Sequence, residues 1–209
     1  MEFTPTTMPW RDCYKLLTGA IIPRPIAFVS TLSKNGVANA APFSFFTAIS
    51  ADPMLVCFSP MRRGTDGAKK DTLTNIEETG QFVINIVSEE IAEKMNICAM
   101  EFTPDIDEFE ASGLTKAPSE KIAVPRIRES KINFECELEQ VLHFGEHAGA
   151  GSLVIGRVVH VHMDDELHDQ GRILAEPLHP IGRLAGNFYT RPLASTFEQA
   201  RIVNSGDKK

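Results

Sequence analysis

The chain has 209 residues, 43% of them hydrophobic and 23% charged, which suits one folded domain with a sizeable core and excludes a disordered chain. A formal charge of −7 and an isoelectric point near 5.4 argue against a general nucleic-acid binder, since such proteins gain affinity by neutralising phosphates with Lys and Arg. No run approaches the ~20 apolar residues that span a bilayer. Met1–Trp10 lacks the basic segment and apolar run of a secretory signal, so a cytoplasmic protein without membrane or nucleic-acid partners is expected.

Pro23-Arg24-Pro25 stiffens the entry to a first strand, Ile26–Thr31. Ser33-Lys34-Asn35-Gly36 predicts a hairpin, because Asn-Gly supplies the positive φ values of tight β-turns. A return strand, Val37–Ala41, leads into an aromatic run at Phe43, Phe45 and Phe46, and Met54–Ser59 reads as another strand. Met61–Lys70 is a polar, basic loop. Asp71–Thr79 has helical spacing at Leu73 and Ile76 and ends on Gly80. Gln81–Val87 reads as a strand and Ser88–Met100 as an amphipathic helix with Ser88 as its N-cap.

Glu101–Arg128 is an acidic, irregular excursion with a short helix near Asp107–Ala111. Two long strands, Lys131–Phe144 and Ser152–Met163, follow, and the tail carries a short helix at Ala194–Arg201. Strands dominate and only short helices interrupt them. The expected fold is mainly β, a closed or partly closed antiparallel barrel rather than a βαβ sheet, in one domain over residues 1–209 with its core at about 15–190.

Cys13, Cys57, Cys98 and Cys136 form no CxxC pair and are expected to be reduced; Cys57 and Cys136 lie in strands, where a thiol packs as a small hydrophobe. Gly149-Ala150-Gly151 lacks the third glycine of a dinucleotide fingerprint, since position 154 is Val, and reads as a hairpin turn. Walker A, HExxH and GxSxG motifs are absent. His160 and His162 share a strand face, and His143 and His147 form the other close pair, but no carboxylate or Cys pattern completes a metal site. No metal ligand and no catalytic side chain is assigned.

Two features suit a flat ring carrying a phosphate. Ser30 and Thr31 end one strand, Asn39 lies on its hairpin partner, and Ala40-Ala41-Pro42-Phe43-Ser44-Phe45 places small residues beside hydroxyl and aromatic groups. This is either a ring slot or an ordinary barrel rim. Arg62-Arg63 and Lys69-Lys70-Asp71-Thr72 gather cations at a helix start, where free N–H groups and the helix dipole favour an anion. The alternative has Asp71 capping the helix with the lysines solvated.

The run PRPIAFVSTLSKNGVANAAPFSFFTAISADPMLVCFSP, followed by KKDTLTNIEETGQFVINIV and, late in the chain, HPIGRLAGNFY, resembles the flavin reductase-like family of FMN-binding split barrels, which includes flavoredoxin-type proteins. The resemblance implies a Greek-key split barrel with short flanking helices, and a homodimer with FMN near the interface. It implies that Ser30, Thr31 and Asn39 contact the ribityl chain, phosphate or flavin edge, and that Ser44 and Phe45 line the ring. Lys70, Asp71 and Thr72 match the phosphate-side KDT motif, with Arg63 an addition; Arg183 and Tyr189 match the late motif that closes over the cofactor. Phe28, Met54 and Ala185 depart from the family's common Trp, Pro and Gly, and a methyl at position 185 hinders close backbone approach to a ring. The implied activity is hydride transfer from NAD(P)H to FMN and onward to a second acceptor, such as a partner oxygenase. The alternatives are an FMN electron carrier reduced by another protein, and a structural barrel whose flavin site has decayed.

Overall fold

The computed structural model describes residues 1–200. The chain opens with helix α1 (Trp10–Ala20) and four strands in sequence: β1 (Ala27–Leu32), β2 (Ala38–Phe43), β3 (Phe46–Ala51) and β4 (Met54–Phe58). Helix α2 (Asp71–Thr79) leads to β5 (Gln81–Ile86), then α3 (Ala92–Ile97) and α4 (Glu108–Ser112). A two-residue ribbon, β6 (Lys116–Ala117) with β7 (Arg126–Ile127), precedes the long strands β8 (Ile132–His143) and β9 (Ser152–Met163). The main sheet is antiparallel throughout, in the order β2-β1-β5-β8-β9-β4-β3, which is the strand pattern of a split barrel.

Alternation along β1 explains why the sheet is covered on both faces. Ala27 and Val29 point into the barrel, where they meet Phe43, Phe58, Phe82, Ile84 and, from α2, Leu73 and Ile76. Ile26 and Phe28 point outward and are covered by Ile91, Met95 and Cys98 around α3 and by Phe109 of α4. The excursion after α3 is therefore the lid on one face of β1 and β2.

Three expectations are corrected. The helix read over Ser88–Met100 is a 3₁₀ turn (Glu89–Ile91) followed by the short α3, and Ser88 does not cap it. Ser88 instead bridges to Pro180 through its backbone and is fully buried. The tail expected to be helical at Ala194–Arg201 has no helix from Ser195 to Ala200, and Arg201 lies outside the described residues. Helix α1 and strand β3, unassigned in the sequence reading, complete the fold.

Inside the barrel, Phe58 packs tilted against Phe43 (centroids 5.1 Å apart) and edge-on against Phe82 (5.7 Å). Phe82 fits only because β9 has no side chain at Gly156: a Cβ there would lie 2.3 Å from Phe82 Cζ, on a ring that is wholly buried. Gly156→Ala is expected to lower stability by about 1–3 kcal/mol through overpacking. Urea denaturation checks this, and a double variant with Phe82→Leu should recover part of the loss.

Candidate functional site

Lys70 occupies the N-cap position of α2 in an extended conformation, with no side chain bonding the helix start. The amides of Leu73 and Thr74 reach the Lys70 carbonyl, leaving those of Asp71 and Thr72 without a backbone partner among the described residues. Asp71 is the first helical residue rather than the cap. Its carboxylate accepts from Arg63 at 2.7 Å, so the acid holds an arginine beside the helix start. Burial lowers the pKa of Lys70; neighbouring Glu101 opposes that shift.

Beneath this turn lies a buried polar network. Asn39 Oδ1 accepts from Thr72 Oγ1 (2.8 Å) and Thr31 Oγ1 (3.2 Å), and Asn75 Nδ2 donates to Thr31 Oγ1 (3.0 Å). Asn39 Nδ2 in turn donates to Glu108 Oε1 at 2.6 Å. Asn39, Arg63, Lys70, Asp71, Thr72 and Glu108 line one cleft, with Ala41 and Pro42 as its apolar wall.

Lys70 also lines a second, adjoining hollow, formed by Pro42, Phe43, Ser44 and Phe45 with Tyr14 of α1, Ser59 and Met61. Tyr14 faces Phe45 with ring centroids 6.2 Å apart. A basic cavity of about 470 Å³ opens beside it between α1 and the Met61–Gly64 segment, with Lys70 again on its wall. An aromatic hollow, a small-residue wall and a cationic helix start thus meet at one lysine. This donor set fits a planar ring bearing a phosphate ester: the ring needs apolar walls, and the phosphate needs cations and free N–H groups.

Of the residues expected at the site, the fold brings Asn39, Ser44, Phe45, Arg63, Lys70, Asp71 and Thr72 around these connected hollows. Thr31 is buried below them and supports Asn39 and Asn75. Ser30 is not brought to the cleft. Adjacent strand residues face opposite ways, and Ser30 donates to the Pro125 carbonyl (2.7 Å) on the other side of the sheet. Arg183 and Tyr189 stack on each other, with the guanidinium carbon 4.5 Å from the ring centroid, in a ribbon outside the cleft.

That ribbon reaches the site through Arg24, whose role sequence reasoning missed. Arg24 is buried and donates to Ser44 Oγ (3.2 Å), to the carbonyls of Thr18 (2.7 Å) and Ile21 (2.9 Å) closing α1, and to Leu184 (3.0 Å). Its flanking prolines were the available signal. Tyr14 and Glu108 were also missed. His160 and His162 do meet a carboxylate, that of Glu135, with the potential ligand atoms of all three within 4.8 Å of one another. Glu135 is already engaged, accepting from the amides of Glu120 and Lys121 (2.7 Å each) and sitting 2.5 Å from His162 Nε2, so it anchors the loop to the sheet. His143 lies elsewhere, against Ser152 and Glu77.

The fold and site define a split-barrel protein with a pocket for a phosphorylated planar cofactor. The chain belongs to the flavin reductase-like family of FMN-binding oxidoreductases: the family model described as "Flavin reductase like domain" matches residues 19–183. A solved structure of nitrilotriacetate monooxygenase component B from Bacillus cereus is 41% identical with a TM-score of 0.88, covering 97% of this chain and 98% of that one. The Pseudomonas fluorescens 2-nitrobenzoate 2-nitroreductase NbaA is 36% identical with a TM-score of 0.82, covering 100% and 98%. A protein of Halalkalibacterium halodurans is 44% identical over 211 residues, the full length of both chains.

Glu108 gives the site a pH signature. Burial pushes its carboxyl from the ordinary 4.5 up to about 7, against the lowering effect of Asn39. A carboxyl that ionises less readily in the folded chain weakens folding as pH rises from its unfolded value to its folded one. The native protein should lose about 3 kcal/mol of unfolding free energy from this group between about pH 4 and pH 8. Glu108→Gln should lack that component, so that its stability relative to the native chain rises with pH. Chemical denaturation of both proteins across this range checks the difference.

Proposed function

We propose that the protein is an NAD(P)H-dependent flavin reductase of the cytoplasm, holding FMN in the connected hollows around Lys70 and passing electrons to a second acceptor. The observation that carries this reading is the meeting, at Lys70, of the Tyr14–Phe45 hollow with the cationic start of α2. FMN, when bound, supplies hydride acceptance and onward electron transfer, which the side chains here do not provide.

The chain's own residues bind and orient. Lys70, the Asp71-anchored Arg63 and the amides of the first α2 turn hold the phosphate by charge-assisted hydrogen bonds. Ala41, Pro42 and Phe45 supply apolar walls for the ring, and Arg24 fixes Ser44 at its edge. Similarity to a monooxygenase component supports a partner oxygenase as the acceptor. Exposed apolar side chains at the end of α1, namely Leu16, Leu17, Ile21 and Ile22, with Phe188 and Tyr189, support assembly as a homodimer.

The purified protein should show flavin absorbance after FMN is added, and should bleach anaerobically with NADH or NADPH. Bound flavin that neither nucleotide bleaches would instead mark an electron carrier. Lys70→Ala is expected to weaken FMN by about 10- to 100-fold, the worth of a charge-assisted hydrogen bond, and riboflavin far less; equal weakening of both would overturn the phosphate assignment. Light scattering should return twice the chain mass of 23.1 kDa, and a monomer would overturn the dimer.

A further inference from the structure

Glu108 is a buried acid of the cleft whose chemistry the binding roles above leave unused. It is 5% exposed and is carried to the cleft by α4, capped by Asp107, whose carboxylate accepts from the amides of Phe109 and Glu110. Oε1 accepts from Asn39 at 2.6 Å. Oε2 is buried and has no hydrogen-bond partner. Burial outweighs the amides of Glu108 and Ala40 and the Asn39 side chain, which favour the ionised form, and an ionised Oε2 without a partner is costly where a neutral carboxylic acid leaves only a hydroxyl.

The charges around it favour the same state. From α2 it faces Asp71, whose charge raises its pKa, and the cations sharing its cleft are Lys70 and Arg63, with Arg63 committed to Asp71. Glu101 adds a further negative charge on the cleft wall. Cys98, packed from the end of α3, is neutral, its thiol pushed up to about 11 by burial. β2 contributes the neutral Asn39. A phosphate dianion entering here meets two carboxylates, Asp71 and Glu101, before Glu108 is counted.

We propose that anion binding in this cleft takes up one proton from solvent onto Glu108, so that the neutral acid accompanies the bound phosphate monoester and the carboxylate opposes it. The inference rests on the FMN reading of the cleft, and makes Glu108 a positioning residue that acts through charge and through Asn39. It also gives the excursion after α3 a function at the site. Because the carboxyl of the free protein titrates at about 7, the exchange falls near neutral pH. Above that value, FMN affinity should fall about tenfold per pH unit while riboflavin affinity stays level.

Calorimetric titration at pH 8 in two buffers of different ionisation enthalpy counts the protons directly. The native protein should take up close to one proton per FMN and none per riboflavin. Glu108→Gln, which keeps an acceptor for Asn39, should take up none and bind FMN about tenfold more tightly than the native protein at this pH. Equal uptake in the two proteins, or equal weakening of FMN and riboflavin by the variant, overturns the proposal alone. Failure of the native protein to bind either flavin overturns the FMN reading and the proposal together. Should the variant fold poorly, infrared difference spectra of the native protein decide the matter. A carboxylic-acid carbonyl band gained on FMN addition at pH 8 upholds the coupling, and no gain overturns it.

Discussion

The side-chain amide of Asn39, on β2, ties together that strand, β1, α2 and α4. It receives hydroxyls from Thr31 on β1 and Thr72 on α2, and it donates to Glu108 on α4. A buried amide left unpaired costs on the order of 1–3 kcal/mol per group, so each partner is held where it is by the others. Asn75, one turn further along α2 on the same face, repeats the tie to Thr31. The first turn of α2 is thereby fixed against the hairpin. Lys70 and Thr72 at the start of that helix line the cleft together with Asn39 itself.

A second polar node does for the ring hollow what Asn39 does for the helix start. Arg24 is buried without a carboxylate among the described residues, and its charge is met by the carbonyls of Thr18, Ile21 and Leu184. Two of these close α1, where the helix dipole favours a cation and orphan carbonyls need donors. The planar fork serves three directions at once, which an ammonium on a flexible stem would do less well. Since α1 brings Tyr14 to Phe45, the side wall of the hollow depends on this arginine. Burial lowers the Arg24 pKa, and nearby Arg183 works in the same direction, yet a guanidinium has ample margin to remain charged.

What could be read from the sequence was local. The Asn-Gly hairpin, the period-two strands and the start of α2 each carry their signal within a few residues, and the structure reproduces them. Ser30 was misplaced although the rule that places it is also local: neighbours on a strand cannot both face one cleft. Helix α1 escaped notice although Trp10, Cys13, Tyr14 and Leu17 carry the i, i+3, i+4, i+7 spacing of an amphipathic helix, a signal as local as the others. Glu108 and Asn39 are 69 residues apart, and only the packing of α4 on β2 relates them. Polar nodes assembled from distant elements leave no periodic trace.

The overall acidity of the chain and the cationic cleft are compatible because the two act over different distances. At physiological salt the screening length is about 8 Å, so acids scattered over the surface contribute little at the cleft. Arg62 adds positive charge close by without an acidic partner among the described residues, its donors going to the carbonyls of Gly145 and Gly67. Lys70, partly buried, is screened less than a surface lysine. A single phosphate ester small enough to enter reaches Lys70 and Arg63 at short range, although Asp71 and Glu101 share the cleft wall, whereas a polynucleotide lying across the surface meets the acidic remainder. The same charge that disfavours nucleic acid overall therefore sharpens the preference of the site for a small phosphorylated ligand.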